Sequence, residues 1–155
     1  MEELSTIPTP CTTKIQALRD SIAQIIVGQT QATDLLLTSV IARGHVLIEG
    51  VPGVAKTLLA RVMAQLIDAR FSRVQFTPDL MPSDVLGTTV YNMKTGDFDF
   101  HPGPVFADVV LADEINRAPA KTQAALFEVM EERQVTVDGT PRAMSDVFTI
   151  IATQN

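Results

Sequence analysis

The amino-acid sequence predicts an α/β fold: a mostly parallel sheet covered by helices on both faces. Two observations carry that expectation. Short apolar runs of strand length recur at "HVLIEG", "DVVLADE" and "DVFTIIATQN". Between them lie segments whose apolar residues repeat every three or four positions, the period of a helix with one buried face. Strands that alternate with helices are joined by crossovers, which favour parallel pairing and bury both faces of the sheet.

The elements follow in order. Residues 1–13, with Pro8, Pro10 and several Ser and Thr, read as a flexible leader, and residues 14–155 as one α/β domain. From Lys14 the pattern is helical through Ile15, Leu18, Ile22, Ile25 and Ile26, until Val27, Gly28 and Gln29 interrupt it. A second helix, with Ala32, Leu35, Leu36, Leu37, Val40 and Ile41 apolar, ends at Gly44. His45 to Gly50 reads as a buried strand running into a glycine loop. Leu58 to Asp68 reads as a helix with Leu59, Val62, Met63 and Leu66 on one stripe, and Arg73 to Phe76 as a second strand. Thr77 to Asp84 has turn chemistry, with Pro78 and Pro82. Thr88 to Phe100 reads as a hairpin around Gly96. Asp108 to Glu114 has the apolar run of a central strand. Pro119 suits the first turn of the next helix, which ends near Glu132 and turns Ala125, Leu126, Val129 and Met130 inward. A second hairpin turns at Asp138-Gly139, and a last strand ends at Asn155.

Composition narrows the function. The chain of 155 residues is 46% hydrophobic and 19% charged, which suits a globular domain rather than disorder. A net charge of −6 makes a general nucleic-acid binder unlikely, because phosphate neutralisation needs a basic face. The single Cys11 excludes an intrachain disulfide or a cysteine-rich zinc site and reads as a reduced thiol. No signal-peptide pattern opens the chain and no apolar stretch approaches the length of a membrane span, so a soluble, cytoplasmic protein is expected. His45 and His101 lack the spacing of metal ligands and read as structural residues.

Three segments carry chemistry. "GVPGVAKT", Gly50 to Thr57, departs from the phosphate-loop pattern G-x-x-x-x-G-K-[ST] at Ala55 alone. Phosphates need inward-pointing backbone N–H groups and a helix N-terminus behind them. Gly50 and Gly53 permit that backbone, Pro52 stiffens it, Lys56 supplies charge to the β- and γ-phosphates and Thr57 a hydroxyl to Mg²⁺. Ala55 falls where the helix starts, so a single methyl group is tolerable there. The competing reading is a glycine turn before a surface Lys-Thr. The second segment is Asp113-Glu114 at the end of an apolar run: one acid to hold Mg²⁺, the other to take the proton from an attacking water. Two solvated acids at a strand end would look the same in isolation. The order of the two motifs, with a helix and a strand between them, favours the nucleotide site. The third is "ATQN", where Asn155 can bond a γ-phosphate or orient the water, or simply start a loop.

With these residues in view, the sequence resembles the AAA+ ATPases, and within them the MoxR family. The matching text is "EGVPGVAKT", "QFTPDLMPSD", "GPVFADVVLADEINRAPAKTQAALFEVMEERQVTVDG" and "IATQN". The resemblance implies a P-loop NTPase core of three αβα layers with β-hairpin inserts. It implies a nucleotide-binding Walker A loop of Gly50, Val51, Pro52, Gly53, Val54, Ala55, Lys56 and Thr57, with Leu58 beside it. It implies Walker B acids at Asp113 and Glu114, sensor 1 at Asn155, and Val27, Gly28 and Gln29 along the adenine. In these terms Glu114, Lys56 and Asn155 are catalytic, Thr57 and Asp113 hold Mg²⁺, and ATP is the ligand. The implied activity is ATP hydrolysis driving chaperone-like remodelling, activation or metal insertion in client complexes. The implied assembly is a homo-oligomeric ring, usually a hexamer, with partners bearing von Willebrand A-type domains. Both hairpins resemble family inserts, and the first is expected to face the ring's pore. The alternatives are a non-hydrolysing nucleotide switch or scaffold and a DNA-remodelling motor.

The family pattern continues past sensor 1 with an arginine finger, a last core strand and a helical lid, which this sequence lacks. Arg117, Arg133 and Arg142 do not match the finger's place in the motif order. The expectation is an incomplete core whose strand at Val46 to Glu49 has an open edge, and which by itself binds nucleotide weakly and hydrolyses it poorly.

Overall fold

The computed structural model describes residues 10–50 and 56–154. Its central sheet has the order β1-β8-β5-β2, with β1 at Val46–Glu49, β8 at Thr149–Gln154, β5 at Val109–Asp113 and β2 at Phe71–Gln75. All three pairings are parallel, so the four strands end at the same edge.

Side-chain alternation along β5 divides the core. Val109 and Leu111 pack with Ile22, Leu36, Leu59 and Met63, which belong to helices α1 (Pro10–Ile25), α2 (Thr30–Ile41) and α3 (Lys56–Leu66). Val110 and Ala112 pack on the other face with Val85, Leu126 and Val129, which belong to α4 (Pro82–Leu86) and α5 (Ala120–Glu132). The sheet is the middle of three layers, the αβα arrangement the sequence predicts.

Three boundaries differ from the sequence reading. Among the described residues helix α1 runs from Pro10, four residues before Lys14. Among the described residues helix α3 runs from Lys56, so Lys56 and Thr57 are helical as well as the stretch read from Leu58. Part of the stretch read as irregular is the short helix α4. Pro82 starts it, and Asp84 accepts the Met81 N–H at 2.8 Å.

Both hairpins form. β3 (Gly87–Asn92) pairs antiparallel with β4 (Asp97–Pro102), and β6 (Gln134–Val137) with β7 (Thr140–Ala143). The second turns through Asp138 and Gly139 at φ 49° and 75°, as a two-residue turn with both φ positive requires. The Arg142 guanidinium lies 3.8 Å from the Phe100 ring centroid and ties the two hairpins together.

Among the described residues β1 has one strand neighbour, so the expected open edge is present. Leu47 is 53% exposed there, beside a cavity of about 570 Å³ that Ile115, Phe127 and Met130 also line. His45 supports this edge. Its Nδ1 accepts the Ile150 N–H at 2.9 Å, which leaves Nε2 to donate to the Met130 carbonyl at 3.2 Å. The imidazole is a structural bridge between β8 and α5, as its sequence context suggested.

Candidate functional site

A parallel sheet brings its carboxyl ends together, and ligands of such folds bind beyond that edge. Here Glu49, Gln154, Asp113 and Gln75 end the four strands. Lys56, the first described residue of α3, lies at the same place. Lys56 Nζ donates to the Gly50 carbonyl at 2.8 Å and lies 3.4 Å from the Gln154 carbonyl, so it joins the ends of β1 and β8. Gly50 has φ 144°, a conformation that side chains disfavour. Thr57 follows, half-buried, and Leu58 is exposed.

Asp113 ends β5 with both carboxylate oxygens engaged. Thr153 Oγ1 donates to Oδ1 at 2.5 Å and Arg73 Nη2 to Oδ2 at 2.6 Å. Burial pushes the Asp113 carboxyl up, but the Thr153 hydroxyl, the Arg73 guanidinium and the charge of Lys56 together hold it below the ordinary value. It is ionised at neutral pH, ready for a cation.

Glu114 leaves the strand in the left-handed region, at φ 56° and ψ 48°. An L-residue there costs roughly 1–2 kcal/mol. The Glu114 N–H donates to Thr153 Oγ1 at 3.0 Å, which holds the turn. Gln75 Nε2 donates to Glu114 Oε2 at 3.2 Å, and Arg117 Nε to the same oxygen at 2.8 Å. The strain buys a change of direction, and the second acid takes partners from β2 and from the turn after β5.

Of the residues read from the sequence, Gly50, Lys56, Thr57, Asp113 and Glu114 lie at this edge. Val27, Gly28 and Gln29 form the turn between α1 and α2, on the face that α3 also covers. Val27 is exposed, Gly28 has φ 83°, and the Gln29 carbonyl accepts the Thr33 N–H and hydroxyl, each at 3.0 Å. The assignments to Val51, Pro52, Gly53, Val54, Ala55 and Asn155 fall outside the described residues. The three arginines that match no finger have local work. Arg117 pairs with Glu114, Arg133 donates to the Arg43 and Phe148 carbonyls, and Arg142 covers Phe100.

Sequence reasoning missed Arg73, Gln75 and Thr153. The available signal was polar residues at alternate positions of strands next to the acidic one, two residues apart in "RVQF" and one before the end of "ATQ".

The donor set fits a magnesium nucleotide. Among the described residues no group of three or more His, Cys, Asp or Glu could hold a metal by itself. An ion at this edge would therefore have few protein ligands and need ligand phosphates or water, which is how Mg²⁺ is commonly held. The Lys56 ammonium, held between the ends of β1 and β8, supplies the matching positive charge.

Comparison with known proteins agrees with this chemistry. The profile of the ATPase family associated with various cellular activities (AAA) matches residues 45–155, and the chain belongs to that family. Its similarity within the family is to MoxR proteins. It is 52% identical over 134 residues to Chaperone MoxR1 of Mycobacterium tuberculosis, covering 86% of this chain and 36% of that protein. It is also 52% identical over 136 residues to the uncharacterized protein YeaC of Bacillus subtilis, covering 88% and 42%. A crystal structure of a provisionally named ATPase from Cytophaga hutchinsonii superposes with a TM-score of 0.82 at 47% identity, covering 92% of this chain and 43% of that one. The chain thus spans about two-fifths of the length of the relatives it matches. Among the described residues no helix is long and apolar enough to cross a membrane.

Proposed function

We propose that this chain forms the nucleotide-binding part of a cytoplasmic, Mg²⁺-dependent ATPase that remodels other protein complexes. The observation that carries this reading is the meeting of Lys56, on helix α3, with two acids, Asp113 and Glu114, at one end of a parallel sheet. Lys56 and the amides of the glycine loop hold the ATP phosphates and stabilise their charge, the largest contribution in phosphoryl transfer. Thr57 and Asp113 hold the metal, which when bound offsets phosphate charge. Glu114 takes the proton from water, and Asn155 helps to position it. Val27, Gly28 and Gln29 border the adenine.

Similarity to a protein named a chaperone supports a remodelling task, and family resemblance supports a hexameric ring. Activation or metal insertion in partners with von Willebrand A-type domains belongs to the same reading, as does a pore-facing place for the β3–β4 hairpin. The exposed Tyr91, Met93 and Phe98 on that hairpin support contact with protein clients.

A second reading, a nucleotide switch without hydrolysis, draws on the ion pair that occupies Glu114 through Arg117. Glu114→Gln in the full-length protein separates the two. The ATPase reading expects ATP binding to persist while phosphate release falls by about 10²–10⁴-fold. Unchanged phosphate release would remove Glu114 as the base, and wild-type protein that binds ATP but releases no phosphate would favour the switch.

A further inference from the structure

We infer that Arg73 is a positioning residue that couples the metal-holding carboxylate of Asp113 to the water-activating carboxylate of Glu114 through the side-chain amide of Gln75; this rests on the nucleotide reading above. Arg73 and Gln75 lie two apart on β2, so both project from the sheet face that α3 covers. Gln75 pairs in register with Asp113, and Arg73 sits one step back opposite Leu111. From there Arg73 Nη2 reaches Asp113 Oδ2 at 2.6 Å and Gln75 Oε1 at 3.2 Å.

The second contact sets the direction of the amide. With its carbonyl oxygen toward Arg73, Gln75 presents its NH₂ to Glu114 Oε2, at 3.2 Å. The reversed amide would turn a donor toward a guanidinium and an acceptor toward a carboxylate, losing both bonds. Arg73 therefore selects the amide orientation that Glu114 requires. Thr153 closes the circuit, since its hydroxyl donates to Asp113 and accepts from the Glu114 N–H.

Arg73 is not a stand-in for the metal. A carboxylate has about four acceptor positions. Arg73 and Thr153 take one on each oxygen of Asp113, so a position on each remains for the shell of a cation. The guanidinium also remains half-exposed, with room to keep its place when a ligand arrives.

The test compares Arg73→Ala and Arg73→Lys with wild type in the full-length protein. Binding of a fluorescent ATP analogue is titrated in EDTA and again across a Mg²⁺ series, and ATP turnover is measured in parallel. In Arg73→Ala, binding in EDTA should be unchanged, which shows an intact fold. The Mg²⁺ needed for half-maximal binding should rise and kcat should fall, each by about tenfold, the size of one charge-assisted hydrogen bond to a partly exposed group. Arg73→Lys should recover part of both. If Arg73→Ala leaves the Mg²⁺ requirement and kcat unchanged, the inference is overturned; if it lowers the Mg²⁺ requirement, Arg73 is a competitor of the metal and the inference is equally overturned. Should Arg73→Ala fail to bind in EDTA, Arg73→Lys decides alone: an intermediate Mg²⁺ requirement supports the inference and a wild-type one rejects it. Wild-type protein without Mg²⁺-dependent binding would instead remove the nucleotide reading itself.

Discussion

β5 and β1 deliver residues to the same edge of the sheet by different means. β5 lies between β2 and β8, and Val109 to Ala112 are at most 1% exposed. The place of Asp113 follows from packing on two faces and pairing on two sides. β1 has β8 alone beside it among the described residues, and its outer apolar residue Leu47 stands half in solvent. Individual polar contacts hold its two ends: His45, before the strand, on Ile150 and Met130, and at the site Gln154 on Glu49 at 2.9 Å and Lys56 on the Gly50 carbonyl. One half of the site is thus held from both sides of its strand, and the other by pairing on one side, Val46 and Ile48 on the core, and a few polar contacts.

Substitutions can break or sharpen that contrast. The largest effect on stability is expected at Leu111→Ala, which empties a fully buried position between the sheet and helices α1, α2 and α3 and should cost about 2–5 kcal/mol. Leu47→Ala, in the other strand, should change stability by less than about 0.5 kcal/mol. Chemical denaturation of both variants checks the pair, and a cost at Leu47 equal to that at Leu111 would erase the contrast.

A smaller effect is expected at His45→Gln, about 1 kcal/mol for imperfect replacement of a hydrogen-bonded bridge. Its pH dependence is more telling. Burial lowers the His45 pKa from the ordinary 6.5; the Met130 carbonyl opposes the shift and Arg133 adds to it. The folded protein thus prefers the neutral ring, whose Nδ1 is free to accept from Ile150. That stabilisation is complete above the unfolded value and is lost as pH falls below it towards the folded one. Thermal melts between about pH 7.5 and about pH 5.5 should show wild type losing more stability than His45→Gln. Equal losses would mean that the β1 edge does not depend on the neutral imidazole.

The contrast also explains what could be read in the sequence. β5 and β8 are legible because a strand buried on both faces must be apolar at nearly every position, as "VVLA" and "TIIAT" are. Helices α1, α2, α3 and α5 announce themselves by period. Lys56 and Thr57 belong to α3 although they are polar and give no periodic signal, so the apolar stripe alone reads the helix only from Leu58. Helix α4 was missed because Pro82 reads equally as a turn and as a first helical residue. Lys56, Asp113 and Glu114 were legible from the spacing of motifs on one strand–loop–helix and one strand end. Arg73, Gln75 and Thr153 come from strands whose neighbours are set by tertiary pairing, and no local pattern states that β2 lies next to β5.

The most direct test of the central claim is binding of a fluorescent ATP analogue to wild type and to Lys56→Ala, each with Mg²⁺ and with EDTA. Wild type should bind saturably and more tightly with Mg²⁺, while Lys56→Ala should bind at least about tenfold more weakly under both conditions, the loss of one or more charge-assisted contacts to phosphate. Equal binding by the two proteins, or no binding by wild type, would contradict the account.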